Sequence, residues 1–171
     1  MNNALLKNFK TPAGLIGAFV GSYMSFDNFQ LNRWAVHNLD VQDNDRILEI
    51  GFGPGIAIQE ILKRSKNACI GGVDCSELMI HQAKKRNRKF VTNKQVDLKS
   101  GNANNLPQFD MEFDKILSVN NIMYWDKPVE ALQELRKNLK EGGSITVVFQ
   151  RCCEACLRQG FHNNEINGYI S

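Results

Sequence analysis

The stretch RILEIGFGPG, residues 46–55, places the strongest constraint on the fold of this 171-residue chain. A short apolar run contains the acid Glu49, and three glycines then alternate with other residues at Gly51, Gly53 and Gly55. Apolar residues at helical spacing follow in IAIQEILKR. The pattern predicts a buried strand, a glycine turn and a helix, with the glycines removing Cβ atoms that would block a ligand from the main chain.

Strand and helix patterns alternate along the rest of the chain. After Arg46–Ile50, further strands are predicted in ACIGGVD, KQVDLKS, FDKILSV (Phe113–Val119) and SITVVFQ. Ser76 is expected to cap the helix after the second strand, and Asp126 the helix after the fourth. That later helix is predicted to carry one apolar face, formed by Val129, Leu132, Leu135 and Leu139. Its end is predicted just before Gly142. The alternation predicts an α/β fold, a Rossmann-like three-layer α/β/α arrangement with a mostly parallel sheet.

Composition indicates one domain of ordinary globular type. With 43% hydrophobic residues, the chain is expected to form an N-terminal helical or lid segment (1–43), a cofactor-binding core (44–150) and a short tail (151–171). The net charge of +3 is too small to indicate a nucleic-acid or membrane partner. Five cysteines with irregular spacing favour a reducing, cytoplasmic location. No apolar run reaches the roughly 20 residues of a membrane-spanning helix.

The spacing of acids and glycines favours one type of cofactor. Asp74 ends the second strand, where a carboxylate can accept hydrogen bonds from both hydroxyls of a ribose. Ile56 stands where a dinucleotide fingerprint would have its last glycine, and Glu49 precedes the turn. A carboxylate there would repel a pyrophosphate and attract an ammonium group. S-adenosylmethionine carries an ammonium, a sulfonium and a ribose.

Five motifs occur in a specific order: LEIGFGPG, VDCSELMIHQAKKR, GNANNLP, FDKILSVNNIMYW and LKEGGSITVV. On these motifs, residues from about 44 to 150 resemble the class I S-adenosylmethionine-dependent methyltransferases. The resemblance implies transfer of a methyl group from S-adenosylmethionine to a small-molecule acceptor by in-line displacement. Two alternatives stay open: an NAD-dependent oxidoreductase, and a degenerate cofactor-binding module without turnover.

The resemblance also implies roles for single residues. Glu49 and the glycine backbone would hold the amino-acid end of the cofactor, and Asp74 the ribose hydroxyls. Met79 would pack on the adenine, although a methionine at helical spacing also suits an ordinary core. Family members often carry an acid where Asn102 stands, so its bond to the adenine amino group would lack charge assistance. The full predicted cofactor set is Glu49, Gly51, Gly53, Pro54, Gly55, Asp74, Cys75, Met79, Asn102, Ala103 and Asn120.

Residues just after the fourth strand are expected on the acceptor side of the site. Asn121, Tyr124 and Trp125 would orient or stack on the acceptor, although the two aromatic residues also suit packing of the next helix. The N-terminal segment would supply a lid or an extra packing helix, with Tyr23, Met24, Phe26 or Phe29 near the acceptor. No catalytic base is assigned, because the sulfonium already makes the methyl group electrophilic.

Three other features receive no assigned function. The basic run KKRNRK, residues 84–89, is interpreted as a solvated helix C-terminus in preference to an RNA contact. Cys152, Cys153 and Cys156 contain one C-x-x-C pair near His162, which is too little for a zinc site, and no metal is predicted. His37 and His81 are taken as ordinary residues.

The 21 residues after Gln150 are too few for the last helix and antiparallel strand pair of the family sheet, which need roughly 40 residues. The C-terminal antiparallel strands are therefore expected to be missing. Strand five would become a sheet edge with Ile145, Val147 and Phe149 on one face and Val148 on the other. The sequence predicts either a homodimer that covers this edge or a chain shorter than a functional relative.

Overall fold

The computed structural model describes residues 29–149. The described residues form five strands that all pair in parallel, in the spatial order β3-β2-β1-β4-β5. A short 3₁₀ helix, Ile122–Tyr124, follows β4. The other elements are α1 (Phe29–Asn38), β1 (Arg46–Ile50), α2 (Ile56–Arg64), β2 (Cys69–Asp74), α3 (Glu77–Arg86), α4 (Arg88–Thr92), β3 (Val96–Ser100), β4 (Phe113–Val119), α5 (Pro128–Arg136) and β5 (Leu139–Val148).

Helices cover both faces of the sheet. Side chains along a strand point alternately to its two faces, and β1 shows this directly. Ile47 lies in a buried cluster with residues of α1, α2 and α3, whereas Leu48 lies in a second cluster with Ala131 and Leu135 of α5. The arrangement is a three-layer α/β/α fold, as the sequence predicted.

Local signals placed most of the elements correctly. Strands β1 and β4 begin and end at the predicted residues. Ser76 caps α3 as expected, because its Oγ accepts a hydrogen bond from the backbone N–H of Met79 at 3.4 Å. These signals depend only on neighbouring residues, which explains why the sequence was sufficient to locate them.

The predicted start of α5 was wrong. Lys127, not Asp126, is the N-cap residue, and its side chain makes no capping bond. Pro128 follows it, and a residue before proline is pushed out of the helical region, which leaves Lys127 at φ −138°. Val129 is 68% exposed, because the buried face of this short helix is formed by Ala131 and Leu135.

The predicted end of α5 was also wrong. The helix stops at Arg136, and Leu139 already pairs with Phe113 as the first residue of β5. Gly142 lies inside this strand with φ 76°, where the register against β4 shifts. Leu139 fits a helical period and a strand equally well, and pairing with β4 decided between them.

Strand β5 lies at one edge of the five-stranded sheet formed by the described residues. Ile145 packs toward the cluster that contains α5, and Val148 toward the opposite cluster, as predicted for the two faces. Phe149 is 47% exposed. Within residues 29–149, no helix has the length and apolar character needed to cross a membrane.

Candidate functional site

The carboxyl ends of β1, β2, β3 and β4 surround one cavity of about 260 Å³. The order of strands reverses between β1 and β4, and open α/β sheets bind their ligands at such a reversal. Every predicted cofactor residue except Gly55 lines this cavity. Those residues are Glu49, Gly51, Gly53, Pro54, Asp74, Cys75, Met79, Asn102, Ala103 and Asn120.

Part of the predicted acceptor side lines the same cavity. Asn121, Tyr124 and Trp125 are among its lining residues. Phe29 begins α1 and contacts the guanidinium of Arg33, and it does not line the cavity. The predictions for Tyr23, Met24 and Phe26, and for the cysteines near His162, fall outside the described residues. Within residues 29–149, no group of three or more His, Cys, Asp or Glu side chains could hold a metal ion.

Glu49 lies under the glycine loop and is only 2% exposed. Its carboxylate accepts a hydrogen bond from the backbone N–H of Ile58 in the first turn of α2. The other oxygen, Oε2, is buried and has no hydrogen-bond partner in the part of the chain that is described. Burial, with the neighbouring charge of Asp74, raises the pKa of Glu49 from 4.5 to about 8. The protein therefore holds an unsatisfied acid at the entrance of α2, where a donor or a positive charge would stabilise the carboxylate.

The three glycines of the loop share a backbone conformation but differ in what surrounds them. All have positive φ, from 52° to 77°. A Cβ on Gly51 would lie 2.1 Å from Nδ2 of Asn121, and one on Gly55 would lie 2.7 Å from Nδ2 of Asn87. A Cβ on Gly53 would meet nothing within 4 Å. Among the three, only Gly53 faces open space, while the missing side chains of Gly51 and Gly55 also allow Asn121 and Asn87 to pack on the loop.

The N–H groups of these glycines are already bonded within the protein. Gly51 donates to the carbonyl of Val73 at 2.7 Å, and Gly55 donates to the carbonyl of Phe52 at 3.0 Å. Gly53 donates to Oδ2 of Asp74 at 2.8 Å. A phosphate bound at a helix N-terminus needs free backbone donors. The loop has none to offer at its three glycines, and Glu49 takes the Ile58 donor beyond them.

Asp74 joins the loop to the end of β2. Its Oδ1 accepts from the backbone N–H of Ser76 at 2.9 Å, while its Oδ2 holds Gly53. Burial raises the pKa of Asp74, and hydrogen bonds from the backbone N–H groups of Ser76, Gly53 and Cys75 oppose that rise. A carboxylate has about four lone-pair sites, so these three backbone donors leave about one site for a hydroxyl group.

Asn102 makes a local turn after β3. Its Oδ1 accepts hydrogen bonds from the backbone N–H groups of Asn104 and Asn105, both at 2.9 Å. The carbonyl oxygen that was expected to accept from an adenine amino group is therefore used within the chain. Ala103 is buried at the cavity wall beside it. The neighbouring wall contains Met79 of α3, which is only 4% exposed and lines the cavity.

The segment after β4 carries a fixed amide. Asn120 has φ 49°, and its N–H donates to the carbonyl of Val148 at 2.7 Å. The next residue, Asn121, accepts a hydrogen bond at its Oδ1 from the indole N–H of Trp125 at 2.6 Å. Trp125 is 9% exposed and belongs to the buried cluster beneath the site. This bond fixes which end of the Asn121 amide is the acceptor, and its Nδ2 lies against Gly51.

Sequence reasoning missed Asn32, which lines the cavity from α1. Asn32 is 9% exposed and shares the inner face of the helix with Ala35, Val36 and Leu39. A polar residue within an apolar stripe at helical spacing is a signal that the sequence contained. Asn104 and Asp126 also line the cavity and were not predicted there.

Comparison with known proteins gives a consistent result. The family model described as a methyltransferase domain matches residues 47–143. The uncharacterised methyltransferase YdaC of Bacillus subtilis (strain 168) is 35% identical over 130 residues, which are 76% of this chain and 70% of YdaC. A malonyl-[acyl-carrier protein] O-methyltransferase of Priestia megaterium is 34% identical over 146 residues, which are 85% of this chain and 51% of that protein.

The fold agrees with solved structures as well. The plantazolicin methyltransferase BpumL, solved in complex with SAH, superimposes with a TM-score of 0.63 at 21% identity. The match covers 80% of this chain and 54% of BpumL. The chain belongs to the S-adenosylmethionine-dependent methyltransferase family. This methyltransferase spans 70% of YdaC and about half of the other two proteins.

S-adenosylmethionine is the cofactor of this family, and the residues of the methyltransferase fit it. The buried Oε2 of Glu49 is an acceptor without a donor, and the cofactor carries an ammonium group. The space beside Gly53 is open, so a ligand can lie directly on the main chain there. These acceptor groups thus suit a cationic amino-acid end and a ribose better than a pyrophosphate.

Proposed function

We propose that this methyltransferase transfers the methyl group of S-adenosylmethionine to a small-molecule acceptor by in-line displacement. The observation that carries the proposal is Glu49. Its carboxylate takes the Ile58 N–H at the start of α2 and keeps one buried oxygen unsatisfied beneath the loop. A pyrophosphate would find the backbone donors occupied at this point, whereas an ammonium group would supply the missing donor and stabilise the ionised carboxylate.

In this proposal the amino-acid end of the cofactor lies along the glycine loop. Glu49 receives the ammonium, and Gly53 provides the surface on which the ligand approaches the backbone. Asp74 accepts a ribose hydroxyl with the acceptor capacity that the N–H groups of Gly53, Ser76 and Cys75 leave. Met79 and Ala103 form the apolar wall for the adenine. The remaining proposed contacts are with Gly51, Pro54, Cys75, Asn102 and Asn120, whereas Gly55 lies outside the cavity and shapes the loop.

The acceptor is proposed to bind beside Asn121, Tyr124 and Trp125, in the cavity that Asn32 also lines. Asn121 is suited to orienting the acceptor, because Trp125 fixes its Oδ1 and leaves Nδ2, which lies against Gly51, as the donor end. S-adenosylmethionine, when bound, supplies an electrophilic methyl group on its sulfonium. The contribution of the chain is to hold the acceptor in line and to exclude water, and no catalytic base is assigned.

Calorimetric titration tests the cofactor assignment most directly. We expect binding of S-adenosylmethionine and of its demethylated product, and no binding of NAD. Tight binding of NAD with no heat from the other two ligands would replace this proposal with a nicotinamide-dependent oxidoreductase.

Turnover needs a separate test, because a degenerate module would bind the cofactor without using it. The purified chain would be incubated with methyl-labelled cofactor and a metabolite extract, and transfer of label to a small molecule is expected. An Asp74→Ala variant provides the background level. Binding without any transfer above that level would favour the degenerate module.

We also propose that two copies of the chain associate through the edge formed by β5. The strand is ten residues long and unpaired on its outer side among the described residues, and exposed Phe149 follows it. Long apolar edge strands tend to pair with other chains unless something covers them.

A further inference from the structure

The basic run at residues 84–89 contains two side chains that contact the glycine loop. Arg86, at the end of α3, donates from Nε to the carbonyl oxygen of Pro54 at 2.8 Å. Asn87 follows it and donates from Nδ2 to the carbonyl oxygen of Gly55 at 3.1 Å. A solvated helix C-terminus, as the sequence predicts for this run, would make neither contact.

The Asn87 contact is closely packed. Asn87 is 2% exposed, and the same Nδ2 also donates to the carbonyl oxygen of Ala83, at 3.1 Å, which fixes the amide against its own helix. A Cβ on Gly55 would lie 2.7 Å from this nitrogen and 2.9 Å from the Cβ of Ala83. The absence of a side chain at Gly55 therefore allows the end of α3 to lie close to the loop. This close approach lets the Asn87 side chain reach the carbonyl oxygen of Gly55.

Together with Asp74, these residues hold three of the four peptide groups between Phe52 and Ile56. Asp74 accepts the N–H of Gly53, while Arg86 and Asn87 donate to the carbonyls of Pro54 and Gly55. All three holding side chains belong to the segment from the end of β2 to the end of α3. Pro54 lines the cavity, so the position of its peptide group affects the shape of the site.

We propose that Arg86 and Asn87 are positioning residues of the cofactor site, which fix the Pro54–Gly55 part of the loop by its carbonyl oxygens. The proposal rests on the cofactor site proposed above. Preorganised binding loops lose less conformational freedom when a ligand arrives, so removal of either contact should weaken binding of the cofactor. Neither side chain needs to touch the cofactor for this effect.

The test compares Arg86→Ala with Lys85→Ala in the full chain. Both changes remove one exposed positive charge from the same helix end, but only Arg86 bonds to the loop. Titration with the demethylated cofactor should show affinity about three- to tenfold weaker for Arg86→Ala, the loss expected for one hydrogen bond, and about unchanged for Lys85→Ala. Arg86→Lys, which keeps a donor on a flexible stem, should recover part of the loss. Equal affinities of the two alanine variants would overturn the proposal.

Amide hydrogen exchange in the cofactor-free protein gives a second readout. Exchange in residues 51–56 should be faster in Arg86→Ala than in Lys85→Ala, because the loop opens more often when one of its contacts is absent. Identical exchange in the two variants would contradict a positioning role. Failure of the unmodified chain to bind the demethylated cofactor would instead contradict the proposed cofactor site, and the exchange comparison would still decide the role of Arg86.

Discussion

At the scale of single residues, the three loop glycines differ in what surrounds them, and alanine substitutions should separate their roles. Gly55→Ala places a Cβ against Asn87 and the backbone of Ala83, so we expect the larger loss in free energy of unfolding. Gly53→Ala meets open space and carries mainly the cost of positive φ, roughly 1–2 kcal/mol.

For cofactor affinity we expect the opposite ranking: among folded variants, Gly53→Ala should lose more affinity than Gly55→Ala. The new methyl group of Gly53→Ala occupies the space proposed for the ligand, so its affinity should fall more than its stability suggests. Chemical denaturation and calorimetric titration of both variants measure the two effects. A Gly53→Ala protein with unchanged affinity would show that the ligand does not approach the backbone at this residue.

The buried acid at Glu49 predicts that cofactor affinity depends on pH. With a pKa of about 8, Glu49 is mostly protonated in the free protein at neutral pH, and pairing with an ammonium requires the ionised form. Affinity should therefore rise roughly tenfold or more between about pH 6 and pH 8. Glu49→Gln should bind weakly, with little pH dependence over the same range. A pH-independent affinity of the unmodified chain would contradict the proposed ammonium contact.

Glu49 should also affect the stability of the cofactor-free protein. Its pKa rises from 4.5 in ordinary surroundings to about 8 in the folded chain. Between these values the folded protein keeps a proton that the unfolded chain releases, so this stabilising contribution is lost as the pH rises from about 4.5 to about 8. Glu49→Gln should remove the dependence. Denaturant unfolding at about pH 5 and about pH 8, without cofactor, measures this change in the free energy of unfolding. An equal change in the unmodified chain and in Glu49→Gln would exclude Glu49 as the cause.

At the scale of elements, the end of β2 organises the site more than the end of β3. Asp74 bonds to Gly53 and Ser76 and is proposed to accept a ribose hydroxyl, whereas Asn102 uses its carbonyl oxygen in a local turn. Asp74→Ala should therefore weaken cofactor binding much more than Asn102→Ala. Charged acceptors contribute about 1.5–3 kcal/mol per hydrogen bond, against about 1 kcal/mol for neutral ones.

The Asp74 comparison needs a control for loop distortion, because the substitution also releases the N–H of Gly53. Asp74→Asn keeps the shape and one acceptor oxygen, so it should retain more of the loop order than the alanine variant. Calorimetry on all three variants, with thermal unfolding of each, separates the two effects. Equal affinities for Asp74→Ala and Asn102→Ala would place the ribose elsewhere.

At the scale of the whole molecule, the outer edge of β5 predicts self-association. Phe149→Lys adds a charge beside this edge and should shift a dimer toward monomer. Val129→Lys is a matched control, since Val129 is an exposed apolar residue on α5. Sedimentation over a range of protein concentrations measures both variants. A monomer at all concentrations for the unmodified chain would show that the edge does not mediate a dimer.

The sequence by itself determined the α/β class, the bounds of β1 and β4, the cap of α3 and most of the residues that line the cavity. These features depend on local period, on capping within a few residues and on the rule that parallel strands present their carboxyl ends together. Glu49 and Asp74 follow from that rule because each stands at or near the end of a strand, whereas Asn120 was predicted from the family resemblance.

Only the tertiary structure decided what those residues contact. The roles of Gly51 and Gly55 depend on Asn121 and Asn87, and the contact of Arg86 with Pro54 spans 32 residues of sequence. The start of β5 at Leu139 was set by pairing with β4. Such partners meet through packing between elements that are distant in the chain, and no local pattern of residues specifies which side chains will meet.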